Sequence, residues 1–141
     1  MISTVAVGTD GSATAAEAVN EAAEIAKRFD AKLVLLSAFQ DGKVPPPSGD
    51  PDVELQWATN PAAQVRAILE RSERELSGSG IACETLIDEG DPAEVLVKLA
   101  AECDADLLVI GNRGMKRRVL GSVPNTVTHN AECSVMVIKT T

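Results

Sequence analysis

Aromatic side chains are almost missing from these 141 residues: Phe29, Phe39 and Trp57 are the full complement, 2% of the chain, and tyrosine is absent. The core must therefore be aliphatic, built from Val, Leu, Ile and Ala. Such a composition suits a parallel sheet with helices on both faces, whose strands read as unbroken apolar runs. It disfavours a flavin site, which wants stacking partners and would find one at most, Trp57. Cysteine is scarce too. Cys83, Cys103 and Cys133 are odd in number and widely spaced, which fits neither a disulfide framework nor a zinc site and suggests small buried thiols kept reduced in the cytosol. No apolar run approaches the roughly 20 residues of a membrane span, and no basic leader precedes the first strand. Basic residues are outnumbered, 13 against 21 acidic, for a net charge of −8. Nucleic acid and anionic membranes are therefore poor partners. These absences point to a cytoplasmic protein, and an apolar fraction of 45% excludes disorder.

What is present alternates between strand and helix patterns. Residues 4–9 form a short Val-rich run broken by Asp10-Gly11-Ser12, a strand and its turn. Ala18, Ala22, Ile25, Ala26 and Phe29 then recur at three- and four-residue steps, one buried face of a helix. Ser12 can cap that helix, or Thr14 with Glu17 can form a capping box. Residues 32–39 (KLVLLSAF) predict a second strand. A long loop follows, with Pro45-Pro46-Pro47, Gly49 and Pro51. Asn60-Pro61 opens a helix burying Val65, Ile68, Leu69 and Leu76. Residues 83–87 predict a third strand. Asp91-Pro92 opens a third helix, by cap and N1 proline, burying Leu96, Leu99, Ala100 and Cys103. Residues 107–110 and 135–138 complete five strands, with a short helix at 122–130 between them. Repeated βαβ units mean right-handed crossovers and a mostly parallel sheet. Five strands are too few for a closed (β/α)₈ barrel. The expected fold is one α/β domain over 1–141, an open doubly wound sheet that takes ligands beyond its strands' carboxyl ends.

The fourth strand ends in Gly111-Asn112-Arg113-Gly114 and leads to Gly121-Ser122-Val123-Pro124. Two glycines three apart allow a tight turn that exposes N–H groups to an anion. Gly121 and Ser122 then open a helix whose first N–H groups lack internal partners, a ready phosphate site. Arg113, Lys116, Arg117 and Arg118 place four of the 13 basic residues within six positions. The spacing is not a P-loop, and the first turn lacks the dinucleotide fingerprint. Asp10, at the first turn, is either a helix cap or a ligand-facing carboxylate. His129 falls among polar neighbours and reads as a surface residue. Glu89, Asp91 and Glu94 read as electrostatic caps of the third helix.

Asp10-Gly11-Ser12, the Gly90 turn, Asp106-Leu107-Leu108-Val109-Ile110-Gly111, Gly121-Ser122-Val123 and Cys133-Ser134-Val135-Met136-Val137-Ile138 together resemble the universal stress protein family over essentially the whole chain. The resemblance implies a sheet of order 3-2-1-4-5 (the adenine-nucleotide alpha-hydrolase-like architecture) and a homodimer formed through the last strand. It also implies an ATP-binding branch marked by Gly, two residues, Gly, nine residues, then Gly with Ser or Thr. Carried onto this chain, Gly111, Gly114, Gly121 and Ser122 would cradle phosphates, with Val123 at the same helix start. Asp10 would face the ribose or a phosphate-bound Mg, Thr9 would lie beside it, and Ala38 would contact the base. Six residues separate Gly114 from Gly121, three fewer than the family pattern. Arg117 or Arg118 then replaces lost backbone contacts, or the site takes a smaller ligand such as AMP or a cyclic nucleotide, or it binds nothing. No second carboxylate sits in register with Asp10 to position a nucleophile. Three expectations follow: an adenine-nucleotide-binding stress or regulatory module, a dimeric interaction or holdase protein with a vestigial site, and a slow ATPase.

Overall fold

The computed structural model describes residues 1–40, 61–112 and 121–139. Along the chain these form β1 (Thr4–Gly8), α1 (Ala13–Phe29), β2 (Lys32–Phe39), α2 (Pro61–Leu76), a 3₁₀ turn (Ser77–Ser79), β3 (Cys83–Glu89), α3 (Pro92–Glu102), β4 (Leu107–Asn112), α4 (Ser122–Asn130) and β5 (Ser134–Lys139). The strands make one sheet of order β3-β2-β1-β4-β5, and all four pairings are parallel. The expected open α/β architecture is the observed one. Among the described residues no helix is long and apolar enough to cross a membrane.

Side-chain alternation along the strands divides the core in two. Val5 and Val7, Leu33 and Leu35, Leu107 and Val109 pack with α1 and Leu69 of α2 on one face. Ala6, Val34, Leu36, Leu108 and Ile110 pack with α3 and Val127 of α4 on the other. The central strands are buried on both sides, so their sequences are continuous apolar runs rather than alternating ones. The winding reverses between β1 and β4. Chain order moves outward from β1 through β2 to β3, crosses back along α3, and moves outward again to β5.

Helix ends follow local chemistry. The Ser12 hydroxyl caps α1 by accepting from the Ala15 N–H at 3.1 Å, so the Thr14–Glu17 capping box is not the device used. Asp30, at φ 53°, closes the same helix in the left-handed region. Asp91 caps α3 by accepting from the Glu94 N–H at 3.3 Å, with Pro92 in the first turn. Cys103 ends α3 as its C-cap and is half-buried, not fully packed.

Phe29 departs from expectation. It is 52% exposed, and the buried stripe of α1 is Ala18, Val19, Ala22, Ala23 and Ala26. Small side chains let α1 lie close to the sheet. The buried stripe ends at Ala26, and the Phe29 ring in the last turn meets solvent. Leu35→Ala should therefore cost about 2–5 kcal/mol by urea denaturation; Phe29→Ala, despite the larger deletion, should cost under about 1 kcal/mol.

Asp106 ties the amino-terminal edge of the sheet. Its carboxylate accepts from the Ser3 and Thr4 N–H groups at 2.8 and 3.0 Å, and those bonds hold it below the usual aspartate range. A carboxyl depressed in the native state stabilises above its unfolded pKa, near 3.9, and loses that effect as pH falls through the native value. Asp106→Ala should therefore be less stable than wild type at pH 7. The gap should close below about pH 4, read as the midpoint difference in urea titrations.

Candidate functional site

The carboxyl ends of β1, β2 and β4 border a cleft of about 400 Å³, at the reversal of winding where open α/β sheets take ligands. Its size falls in the range of small-molecule sites.

Thr9 N–H donates to the Leu36 carbonyl at 2.9 Å, and register pairing of the two strands ends at Gly8 with Leu36. The chain then turns. Gly11 takes φ 81°, a conformation glycine adopts without steric cost. Its N–H donates to Thr9 Oγ1 at 3.1 Å, and the Ser12 N–H donates to Asp10 Oδ1 at 2.9 Å. Asp10 therefore braces the turn and leaves the capping to Ser12. It is exposed on the cleft wall.

β2 runs on past β1 to Phe39, paired with β3 through Glu89. Peptide groups alternate sides along a strand. The Leu36 carbonyl faces β1, and the Phe39 carbonyl, which accepts from the Gly90 N–H at 2.9 Å, faces β3. The N–H and C=O of Ala38 consequently face the β1 side, past that strand's last bond. A bare donor–acceptor pair results, bordering the cleft.

At the end of β4, the side chain of Asn112, 1% exposed, accepts from the Gly121 N–H at 3.1 Å. This bond holds the start of α4 against the end of its preceding strand. Gly121 is the N-cap and supplies no side chain. The Gly121 carbonyl accepts from Asn125 N–H at 3.0 Å, and Pro124 has no N–H. Ser122 and Val123 are therefore the two helix amides left without acceptors among the described residues, at the positive end of the helix dipole.

Gly8 forms the floor. A Cβ built on it would stand 2.9 Å from Leu96 Cδ1, so glycine lets α3 approach β1. Pro92, Leu96 and Ile110 make the remaining lining largely apolar.

Thr9, Asp10, Ala38, Gly111, Gly121, Ser122 and Val123, all singled out from sequence, line this one cleft. Arg113, Gly114, Arg117 and Arg118 lie outside the described residues. Sequence reading missed Ser37, Asn112 and the Gly8–Leu96 contact. The polar Ser37 within KLVLLSAF was the one available signal. The thiols lie elsewhere. Burial, with Glu73 and Glu84 adding to it, pushes Cys83 up to about 11, and burial also raises Cys103 and Cys133. High thiol pKa values oppose thiolate chemistry. His129 is exposed on α4, its Nδ1 3.1 Å from the Asn125 carbonyl. Among the described residues no cluster of three His, Cys, Asp or Glu could hold a metal ion.

The sequence profile of the Universal stress protein family matches residues 1–139. The chain belongs to that family. A universal stress protein of Mycobacterium tuberculosis is 37% identical, covering 98% of this chain and 97% of the relative. One from Methanocaldococcus jannaschii is 33% identical over 96% of this chain and 81% of its own. Among solved structures, a universal stress protein in complex with cAMP superposes with a TM-score of 0.75 at 33% identity, covering 99% and 98% of the two chains. A universal stress protein family member from Arabidopsis thaliana with AMP bound gives 0.74 at 25% identity, covering 97% and 91%.

Gly11 is the point at which the turn can be broken. A Cβ there would lie 2.6 Å from Ile68 Cγ2, at a φ of 81°. Gly11→Ala should lower the unfolding free energy by about 1–2 kcal/mol, measured by urea titration. A wild-type value would show that the turn relaxes without cost.

Proposed function

We propose that the cleft binds an adenine nucleotide and that the protein works as a nucleotide-responsive stress module. The observation that carries this reading is the pairing, across one cleft, of the bare Ala38 peptide edge with the open amides of α4. The Ala38 N–H suits the N1 acceptor of adenine and its C=O suits the 6-amino donor. Guanine presents the reverse, a 6-oxo acceptor and an N1–H donor. A phosphate group would then sit at Ser122 and Val123, on the amides and the serine hydroxyl, with Gly111 giving close backbone approach. Asp10 and Thr9 lie between, where the ribose hydroxyls would fall.

Two amides suit one phosphate better than three, and the neighbours described above carry cAMP and AMP. Both facts favour a mono- or cyclic nucleotide over ATP, in keeping with the short spacing between Gly114 and Gly121. For ATP, Arg117 or Arg118 would supply charge-assisted bonds to the outer phosphates. Mg is bound through one or two carboxylates plus substrate phosphates. Asp10 fits that part as a single carboxylate, and the ion would arrive with the nucleotide rather than reside in the protein.

Isothermal titration with AMP, cyclic AMP, ATP and GMP tests the reading. AMP or cyclic AMP should bind, with GMP weaker by about tenfold or more, since mismatched donors and acceptors are left unpaired. Ser122→Ala should weaken AMP by about tenfold or more, the size of one hydrogen bond to a charged group. Heat-free titrations with all four ligands would overturn it.

A second reading concerns assembly. β5 is an outer strand of the sheet, and Met136 on it is 39% exposed. An unpaired strand edge with an apolar side chain favours pairing with a second copy, which supports a homodimer through β5. If the nucleotide titrations are blank while light scattering gives the dimer mass, an interaction or holdase role would take the place of nucleotide sensing.

A further inference from the structure

Ser37 is the polar residue that the burial of β2 does not explain. It follows four aliphatic residues, is 5% exposed and lines the cleft. Its hydroxyl has no hydrogen-bond partner among the described residues. The hydroxyl is not sealed inside the protein: it opens on the cleft, where solvent or a guest is left to bond it. Alternation sets the Ser37 side chain on the face of Leu33 and Leu35, opposite the Ala38 methyl group, which packs on the α3 side. Thr9 shares that face one strand over, but its hydroxyl already accepts from the Gly11 N–H at 3.1 Å. The open hydroxyl at the end of β2 is thus Ser37.

Chain order fixes which part of a base would reach it. Along β2 the groups run Ser37, then the Ala38 N–H, then the Ala38 C=O. A base that sets its 6-amino group on that carbonyl and N1 on that N–H continues, in the same direction, through C2 to N3. N3 is an acceptor, and Ser37 has a proton to donate. We propose that Ser37 is a specificity-determining residue of the cleft, its hydroxyl donating to N3 of the bound adenine; this rests on the nucleotide reading above. The hydroxyl would then gain in the complex the partner it lacks without it.

A double-mutant cycle by calorimetry tests the contact, using AMP and 3-deaza-AMP against wild type and Ser37→Ala. Wild type should bind 3-deaza-AMP roughly tenfold more weakly than AMP, as expected for one buried hydrogen bond. Ser37→Ala should bind AMP roughly tenfold more weakly than wild type does and should no longer distinguish the two ligands. Without nucleotide, Ser37→Ala should melt no lower than wild type, because it removes a hydroxyl that bonds no described protein group. Unchanged AMP affinity in Ser37→Ala, or full discrimination retained against the 3-deaza analogue, would overturn the proposal. So would a lower melting temperature in the free variant, which would make Ser37 structural. Wild type that binds neither ligand would defeat the nucleotide reading itself, and the Ser37 assignment with it.

Discussion

The bond from the Thr9 N–H to the Leu36 carbonyl is the last rung between β1 and β2, and the cleft exists because the sheet ends unevenly there. β2 continues beside β3 to Phe39 while β1 has already turned away. A parallel sheet normally satisfies its peptides strand by strand. Stopping one central strand early leaves the inner edge of its neighbour exposed at a fixed height. The Asp10-Gly11-Ser12 turn keeps β1 from running on. The Asn112 bond to Gly121 keeps the start of α4 at the same level on the other side. The cleft is therefore a property of backbone lengths, held by three short polar contacts.

That geometry also sets the electrostatics. The chain is strongly acidic, and among the described lining residues Asp10 is the one charged side chain. From these residues, attraction for an anion would come from oriented amides and a helix dipole. Such donors are fixed before any guest arrives, so little ordering is required on binding. They are also short-ranged, so any such attraction is confined to the first turn of α4.

Much of this was legible in the residue pattern, because the pattern and the physics coincide. The run Lys32–Phe39 is a strand with the expected bounds, since an aliphatic stretch of that length between turn residues has few alternatives. Asp91-Pro92 announced α3 for the same kind of local reason. Asp10, Ala38, Gly121 and Ser122 converge on one cleft because each stands at an element's end on the side of the sheet where the strands' carboxyl ends lie. Phe29 was misjudged. Helical periodicity reports which face is apolar and says nothing about how far along the helix that face stays covered. Asn112 and Ser37 escaped notice for a related reason. Their importance comes from the termini of neighbouring elements; Asn112 has no local signature, and Ser37 has only its polarity within an aliphatic run. The Ala38 peptide edge has no side-chain signal at all.

Gly8 and Leu96 illustrate how space is shared between the two halves of the fold. The hydrogen of Gly8 occupies the spot a methyl group would need, and the leucine of α3 fills what is left. Bulk at these two positions is thus a joint quantity: a larger residue on the strand would require a smaller one on the helix. The depth of the cleft would change with how that fixed volume was apportioned.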